Sequence, residues 1–205
     1  MEYKEINKKF YDKHAVEFEK NTKGDLQKYI LNDIYLSLKK LSGEKILDLG
    51  CGPGRDSVYF KEKGFNPVCV DLSKEMIDLC KEKDLQAYQI DLENISFKNN
   101  SFDGIWAYAS LLHILKKNLP CVLLEIKRIL KTNGIFYLGM KKGKFEGLIK
   151  DERYSDDKRF FTLYQNEELK KIISKYFKII HTLEFKIMGS TYLNYLCKKV
   201  KSSKE

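Results

Sequence analysis

The run Ile46-Leu47-Asp48-Leu49 passes directly into Gly50-Cys51-Gly52-Pro53-Gly54, a short apolar strand that ends in a glycine turn. Residues without a Cβ let a backbone turn sharply and come within contact distance of a ligand, so this is a nucleotide-type binding loop with an acid, Asp48, at its start. A second apolar run, Pro67-Val68-Cys69-Val70, ends in Asp71 and is followed by Leu72 and, a little later, Met76. A carboxylate at such a strand end can accept two ribose hydroxyls at once. Two more runs, residues 87–92 and 101–107, bring Asp91, Leu92 and Ala107 to corresponding ends. The dinucleotide fingerprint requires its third glycine three residues after the second, and Arg55 stands there, so nicotinamide binding is the weaker reading.

Residues of this kind work together only if the strands lie side by side, because ligands of open α/β sheets sit at the carboxyl ends of the strands. Apolar residues at helical spacing predict helices over residues 3–20 and 25–41 ahead of the first strand, and over 165–176 after the fifth. The segments 177–188 and 191–200 read as two strands joined by a hairpin turn at Gly189-Ser190. Residues 141–164 form a connection long enough to be a lid or a substrate loop.

The ordered set resembles the class I S-adenosylmethionine-dependent methyltransferases, whose first motif is an apolar strand, an acid and a glycine-x-glycine-x-glycine turn; it covers most of residues 45–140. The resemblance implies a Rossmann-like α/β fold with a seven-stranded sheet in the order 3-2-1-4-5-7-6, strand 7 antiparallel and helices on both faces. It implies one domain over 1–205, with a helical cap (1–43), a cofactor-binding core (44–140) and a closing part (141–205). Asp48, Gly50, Gly52 and Gly54 would shape the loop that holds S-adenosylmethionine, with Cys51 a small residue within it. Asp71 would take the ribose, Asp91 the adenine amino group, and Leu72, Met76 and Leu92 would border the adenosine. Ala107 would stand at the end of strand four, near the methyl group. Tyr11, in an amphipathic helix that also holds Phe18, would cap the cofactor.

Candidates for a general base follow strand four, at Tyr108 and His113; a histidine side chain titrates near neutrality. A base is optional, since an already activated methyl group needs positioning and desolvation more than proton transfer. Within Arg159-Phe160-Phe161-Thr162-Leu163-Tyr164, similar to a run before the last helix in a subgroup of small methyltransferases, Arg159, Phe161 and Tyr164 would line the acceptor pocket, with Arg159 paired to an anionic group. The helix that follows has Gln165 and Glu168 where a capping box would sit, a weakened version of it.

The chain of 205 residues carries a formal charge of +9. Arginine stands only at positions 55, 128, 153 and 159, so lysine supplies nearly all the positive charge, whereas nucleic-acid readers favour arginine's bidentate fork. The acceptor is read first as a small molecule, with RNA (tRNA) or protein methylation on the basic surface as the alternative, and a non-catalytic S-adenosylmethionine-binding subunit or sensor as a third. The charged start and the lack of a long apolar run predict a cytoplasmic protein with no membrane contact. Five cysteines, at 51, 69, 80, 121 and 197, show no paired spacing, so neither a disulfide framework nor a metal site is predicted.

Overall fold

The computed structural model describes residues 2–22, 25–187 and 189–200. Met188, at the end of one closing strand of the sequence reading, and residues 201–205 lie outside them. Two helices, α1 (Glu2–Thr22) and α2 (Asp25–Lys39), precede the sheet. Strand and helix then alternate as β1 (Lys45–Leu49), α3 (Arg55–Glu62), β2 (Asn66–Asp71), α4 (Lys74–Lys81) and β3 (Gln86–Gln89). The chain continues with β4 (Phe102–Tyr108), α5 (Leu119–Ile129) and β5 (Leu130–Lys141). After a hairpin, β6 (Phe145–Lys150) and β7 (Lys158–Leu163), come α6 (Asn166–Ile173) and the closing pair β8 (Lys178–Ile187) and β9 (Ser190–Lys198).

The main sheet has seven strands in the order β3-β2-β1-β4-β5-β9-β8. Leaving out the separate hairpin, this is 3-2-1-4-5-7-6, and β9 runs antiparallel to both its neighbours. Both faces are covered, which is why the central strands are nearly continuous in apolar residues. Period-two alternation sorts their side chains: Leu47, Leu49, Ile105, Ala107, Phe136 and Leu138 face one core. Ile46, Trp106, Tyr108, Ile135 and Tyr137 face the other, against Ile30 and Ile34 of α2 and Phe60 of α3. No helix among the described residues is long and apolar enough to cross a membrane.

The connection expected as a lid or loop is a two-stranded sheet packed under α1. Only β7 is buried, while β6 keeps Phe145, Leu148 and Ile149 exposed, so neither strand shows the half-buried alternation that marks strands in sequence. The hairpin is fastened to α1 by main-chain mimicry: Asn7 Nδ2 donates to the Phe160 carbonyl at 3.2 Å and Asn7 Oδ1 accepts from the Phe160 amide at 2.7 Å. A kink at His14, where φ is −111° and ψ 16°, lets its Nε2 reach Asp157 at 2.7 Å. At the last helix, Gln165 makes no side-chain cap and Glu168 instead binds Lys116 at 2.9 Å.

Arg159 is the charged anchor of this unit. It is buried, ion-paired to Asp151, hydrogen-bonded to the Tyr11 hydroxyl at 3.0 Å, and 4.5 Å from the centre of the Phe10 ring. Hydrogen bonding from Arg153, joined by the charge of Arg159, holds the Asp151 carboxyl down at about 2. Its folded pKa lies below the ordinary value of 3.8, so the stabilisation is complete above that pH and is lost as pH falls through about 2. Asp151→Ala, which leaves Arg159 buried without its carboxylate, is expected to lower the unfolding free energy at neutral pH by about 3 kcal/mol in urea titration. A loss below ~1 kcal/mol would show that the pair is not an anchor.

Candidate functional site

β1 and β2 pair in register, Leu49 opposite Val70, which places the glycine turn beside the end of β2. The Gly50 and Cys51 amides donate to the Val70 carbonyl at 2.8 and 3.1 Å. The Gly52 amide donates to Asp71 Oδ2 at 3.0 Å and the Ser73 amide to Oδ1 at 2.9 Å. Burial raises the Asp71 pKa, and these amides oppose the shift. Gly50 has φ +70° and a Cβ there would lie 2.3 Å from the Ser110 Cβ; Gly52 has φ +52° and faces open space, with only Phe18 Cε1 at 3.9 Å. Both backbones are in the left-handed region that favours glycine.

A cavity opens over these strand ends, with α1 as its roof. Tyr11, Asp48, Gly50, Cys51, Gly52, Asp71, Leu72, Asp91, Leu92, Tyr108 and His113 all line it. The roof is tied across the whole edge: Ser73 donates to Asp12 at 2.7 Å, Lys4 pairs with Asp91 at 2.6 Å, and Tyr11 meets His113 at 2.8 Å. Beneath the turn, Asp48 accepts from Ser57 Oγ at 2.8 Å, and burial pushes its pKa well up. Arg55 grips Asp56 through two nitrogens, 2.7 and 3.0 Å, and Asp56 also accepts from the Trp106 indole at 2.9 Å. Arg55 therefore supports the loop while lining the cavity.

Six residues expected at the site do not line this cavity. Gly54 packs inward, where a Cβ would lie 2.6 Å from Leu85. Met76 belongs to the buried face of α4 with Ile77 and Cys80. Ala107 points into the core, one step out of phase with Tyr108. Arg159 lies outside the lining, its guanidinium turned to Asp151, which it shares with Arg153, and to the Tyr11 hydroxyl. Phe161 and Tyr164 are core residues, and Phe161 packs 4.9 Å from the His113 ring.

The two base candidates line the cavity in states unlike those expected. His113 Nδ1 donates to the Phe160 carbonyl at 2.7 Å, which leaves Nε2 to accept from Tyr11 at 2.8 Å. Burial lowers its pKa to about 3, so it is a neutral bridge between β4's end, the hairpin and the roof. The Tyr108 ring stacks on Tyr192 with centroids 6.0 Å apart, and its buried hydroxyl has no hydrogen-bond partner among the described residues. Burial raises its pKa as well, so the hydroxyl stays protonated at neutral pH.

Sequence reasoning missed the roof's polar residues, Lys4, Asn7 and Lys8, and also Ser73 and Ser110, all in the lining. A lysine pattern on an amphipathic helix does not reveal which turn crosses a ligand edge. Ser73 could have been found, since a serine three residues ahead of Met76 is an N-cap signal, and its Oγ does accept from the Met76 amide at 3.2 Å.

Comparison with known proteins agrees with this geometry. A family model described as a methyltransferase domain matches residues 47–138. An uncharacterised protein of Methanocaldococcus jannaschii is 32% identical over 161 residues, 75% of this chain and 68% of that protein. An uncharacterised methyltransferase of Schizosaccharomyces pombe is 32% identical over 52% of this chain, which spans only 44% of it. In fold, the chain is similar to Burkholderia thailandensis 1,6-didemethyltoxoflavin-N1-methyltransferase, solved with 1,6-didemethyltoxoflavin and S-adenosylhomocysteine bound. That likeness has a TM-score of 0.78 at 19% identity and covers 98% of this chain and 90% of the other. The chain belongs to the class I S-adenosylmethionine-dependent methyltransferases, enzymes whose cofactor is S-adenosylmethionine.

The bridging state of His113 has a direct readout. Its imidazole resonances, followed by NMR from pH 8 to pH 5, are expected not to titrate, because the folded pKa lies near 3. A midpoint near its ordinary 6.5 would mean that Nε2 is free to take up a proton.

Proposed function

We propose that this chain transfers the methyl group of S-adenosylmethionine to a small-molecule acceptor that reaches the cavity at the end of β4. The cavity's contents fit the cofactor: an open space before Gly52, a carboxylate at Asp71 held by two backbone amides, and Asp91, Leu72 and Leu92 along the edge toward β3. In this reading Asp71 takes the ribose hydroxyls, Asp91, Leu72 and Leu92 hold the adenine end, and the Gly50–Gly52 backbone lies against the methionine part. The bound cofactor supplies a methyl carbon made electrophilic by its sulfonium.

The observation that carries the small-molecule reading is the roof. α1 is tied down over the ends of β2, β3 and β4 through Asp12, Lys4 and Tyr11, which suits an acceptor small enough to enter beneath it better than a polymer lying along the surface. Tyr108 would border that acceptor through its ring, since its hydroxyl is fully buried. The protein would accelerate transfer by alignment and exclusion of water, with neither His113 nor Tyr108 drawing off a proton. The bound acceptor of the Burkholderia enzyme, itself a small molecule, is in keeping with this.

Methyl-labelled S-adenosylmethionine incubated with the protein and fractionated extract of the source cells tests the proposal. Label is expected in the low-mass fraction. Label in RNA or protein would overturn the acceptor class, and cofactor binding without transfer to any fraction would overturn the transfer itself. With the acceptor in hand, Tyr108→Phe is expected to change its KM by less than roughly 3-fold, the lower end of what one neutral hydrogen bond is worth, because the buried hydroxyl is not open to the cavity. A larger rise would mean that the hydroxyl does reach the acceptor.

A further inference from the structure

Three cysteines far apart in the chain meet below the glycine turn. Cys51 comes from the turn, Cys69 from the middle of β2 and Cys80 from α4, and their sulfurs all lie within 4.8 Å of one another. Cys51 and Cys80 are 3.7 Å apart, sulfur to sulfur. All three are buried, in a small cluster with Ile77, Leu85 and Ala87 that is separate from the two main cores. Two oxygens are at hand: the Gly52 carbonyl, 3.2 Å from the Cys80 sulfur and 3.4 Å from that of Cys51, and the Ser57 hydroxyl beside Cys69.

The spacing distinguishes what such a cluster can do. A cation bonded to three thiolates at about 2.3 Å holds its sulfurs roughly 3.8–4.0 Å apart, which is within the range seen here. A disulfide needs sulfurs about 2 Å apart and would use only two of the three. Plain apolar packing explains burial, yet it does not require three sulfurs from three separate elements to converge.

We propose that Cys51, Cys69 and Cys80 form a thiolate site for a thiophilic d10 cation, zinc or copper(I), beneath the cofactor loop. On binding, three S–H bonds break and three S–metal bonds form, and the three protons pass to solvent. Zinc leaves the cluster with one net negative charge and copper(I) leaves it with two, so buried surroundings favour zinc; the charged groups nearby are the buried Asp48 carboxyl and Lys83, which is anchored on the Pro53 and Leu79 carbonyls and paired with Glu19 at 2.9 Å. The ion would pass Cys51, the member of the three that lines the cavity. Since Gly52 follows Cys51 and holds Asp71, occupancy would also stiffen the loop. The site stands apart from the proposed acceptor and does not depend on it.

The test uses the reduced, metal-free full chain. Cobalt(II) is titrated as a spectroscopic probe and then displaced by zinc; copper(I) is titrated anaerobically in a parallel arm. One equivalent of cobalt is expected to give thiolate-to-metal charge-transfer absorption in the near ultraviolet, abolished by one equivalent of zinc. A hundredfold excess of zinc over its Kd is expected to raise Tm by roughly 5 °C. Cys69→Ser and Cys80→Ser should each weaken binding by more than the roughly 10- to 100-fold that an outer-shell partner is worth; Cys121→Ser and Cys197→Ser should leave it unchanged. Circular dichroism confirms that each variant is folded, and either cluster variant suffices if the other fails to fold. Copper(I) uptake without cobalt or zinc uptake, lost in the same variants, identifies copper as the ion. No uptake of any of the three, a signal that survives both cluster variants, or a Cys51–Cys80 disulfide forming without metal uptake would overturn the proposal.

Discussion

A single tie between two strand ends underlies the site: the Gly52 amide donating to the Asp71 carboxylate at 3.0 Å. It is possible only because β1 and β2 are parallel neighbours in register, and because Gly50 and Gly52 turn through positive φ without a Cβ in the way. The tie, with the Ser73 amide, fixes both carboxylate oxygens of a buried acid against backbone donors. Lost backbone approach or lost carboxylate would each dismantle the same crevice. Ser110 packs directly against the turn, since a Gly50 Cβ would lie 2.3 Å from its own.

Over this floor the N-terminal helix acts as a strap. Asp12, Lys4 and Tyr11 each bind a different strand end, and Asn7 binds the hairpin backbone. His113 joins three elements through its two ring nitrogens. The arrangement turns residues with catalytic potential into braces: Arg159 faces Asp151, and His113 faces Tyr11 and Phe160. What remains in the cavity is its shape and the open space before Gly52, which suits a reaction whose donor is activated before it arrives.

The parallel core was legible because residues 46–49, 67–70 and 104–107 are nearly continuous in apolar residues, as strands covered on both faces are. Asp71, Asp91, Gly50 and Gly52 could be placed because strand ends share one edge. Met76 and Ala107 went astray for one reason: a motif fixes position along the chain, while the side of the helix or strand is set by packing, and both side chains turn to the core. The partner of Arg159, Asp151, was not legible because it comes from the same hairpin, whose exposed β6 hides any strand periodicity. The cysteine cluster was invisible for a similar reason, since three separate elements bring it together.

Calorimetric titration of the folded chain with S-adenosylmethionine and S-adenosylhomocysteine, alongside the Gly52→Val variant, tests the central claim most directly. The account expects both ligands to bind the unaltered chain at one site and neither to bind the variant, whose added side chain would fill the space before the loop. Absence of binding to the unaltered, folded chain, or equal binding to the variant, would contradict it.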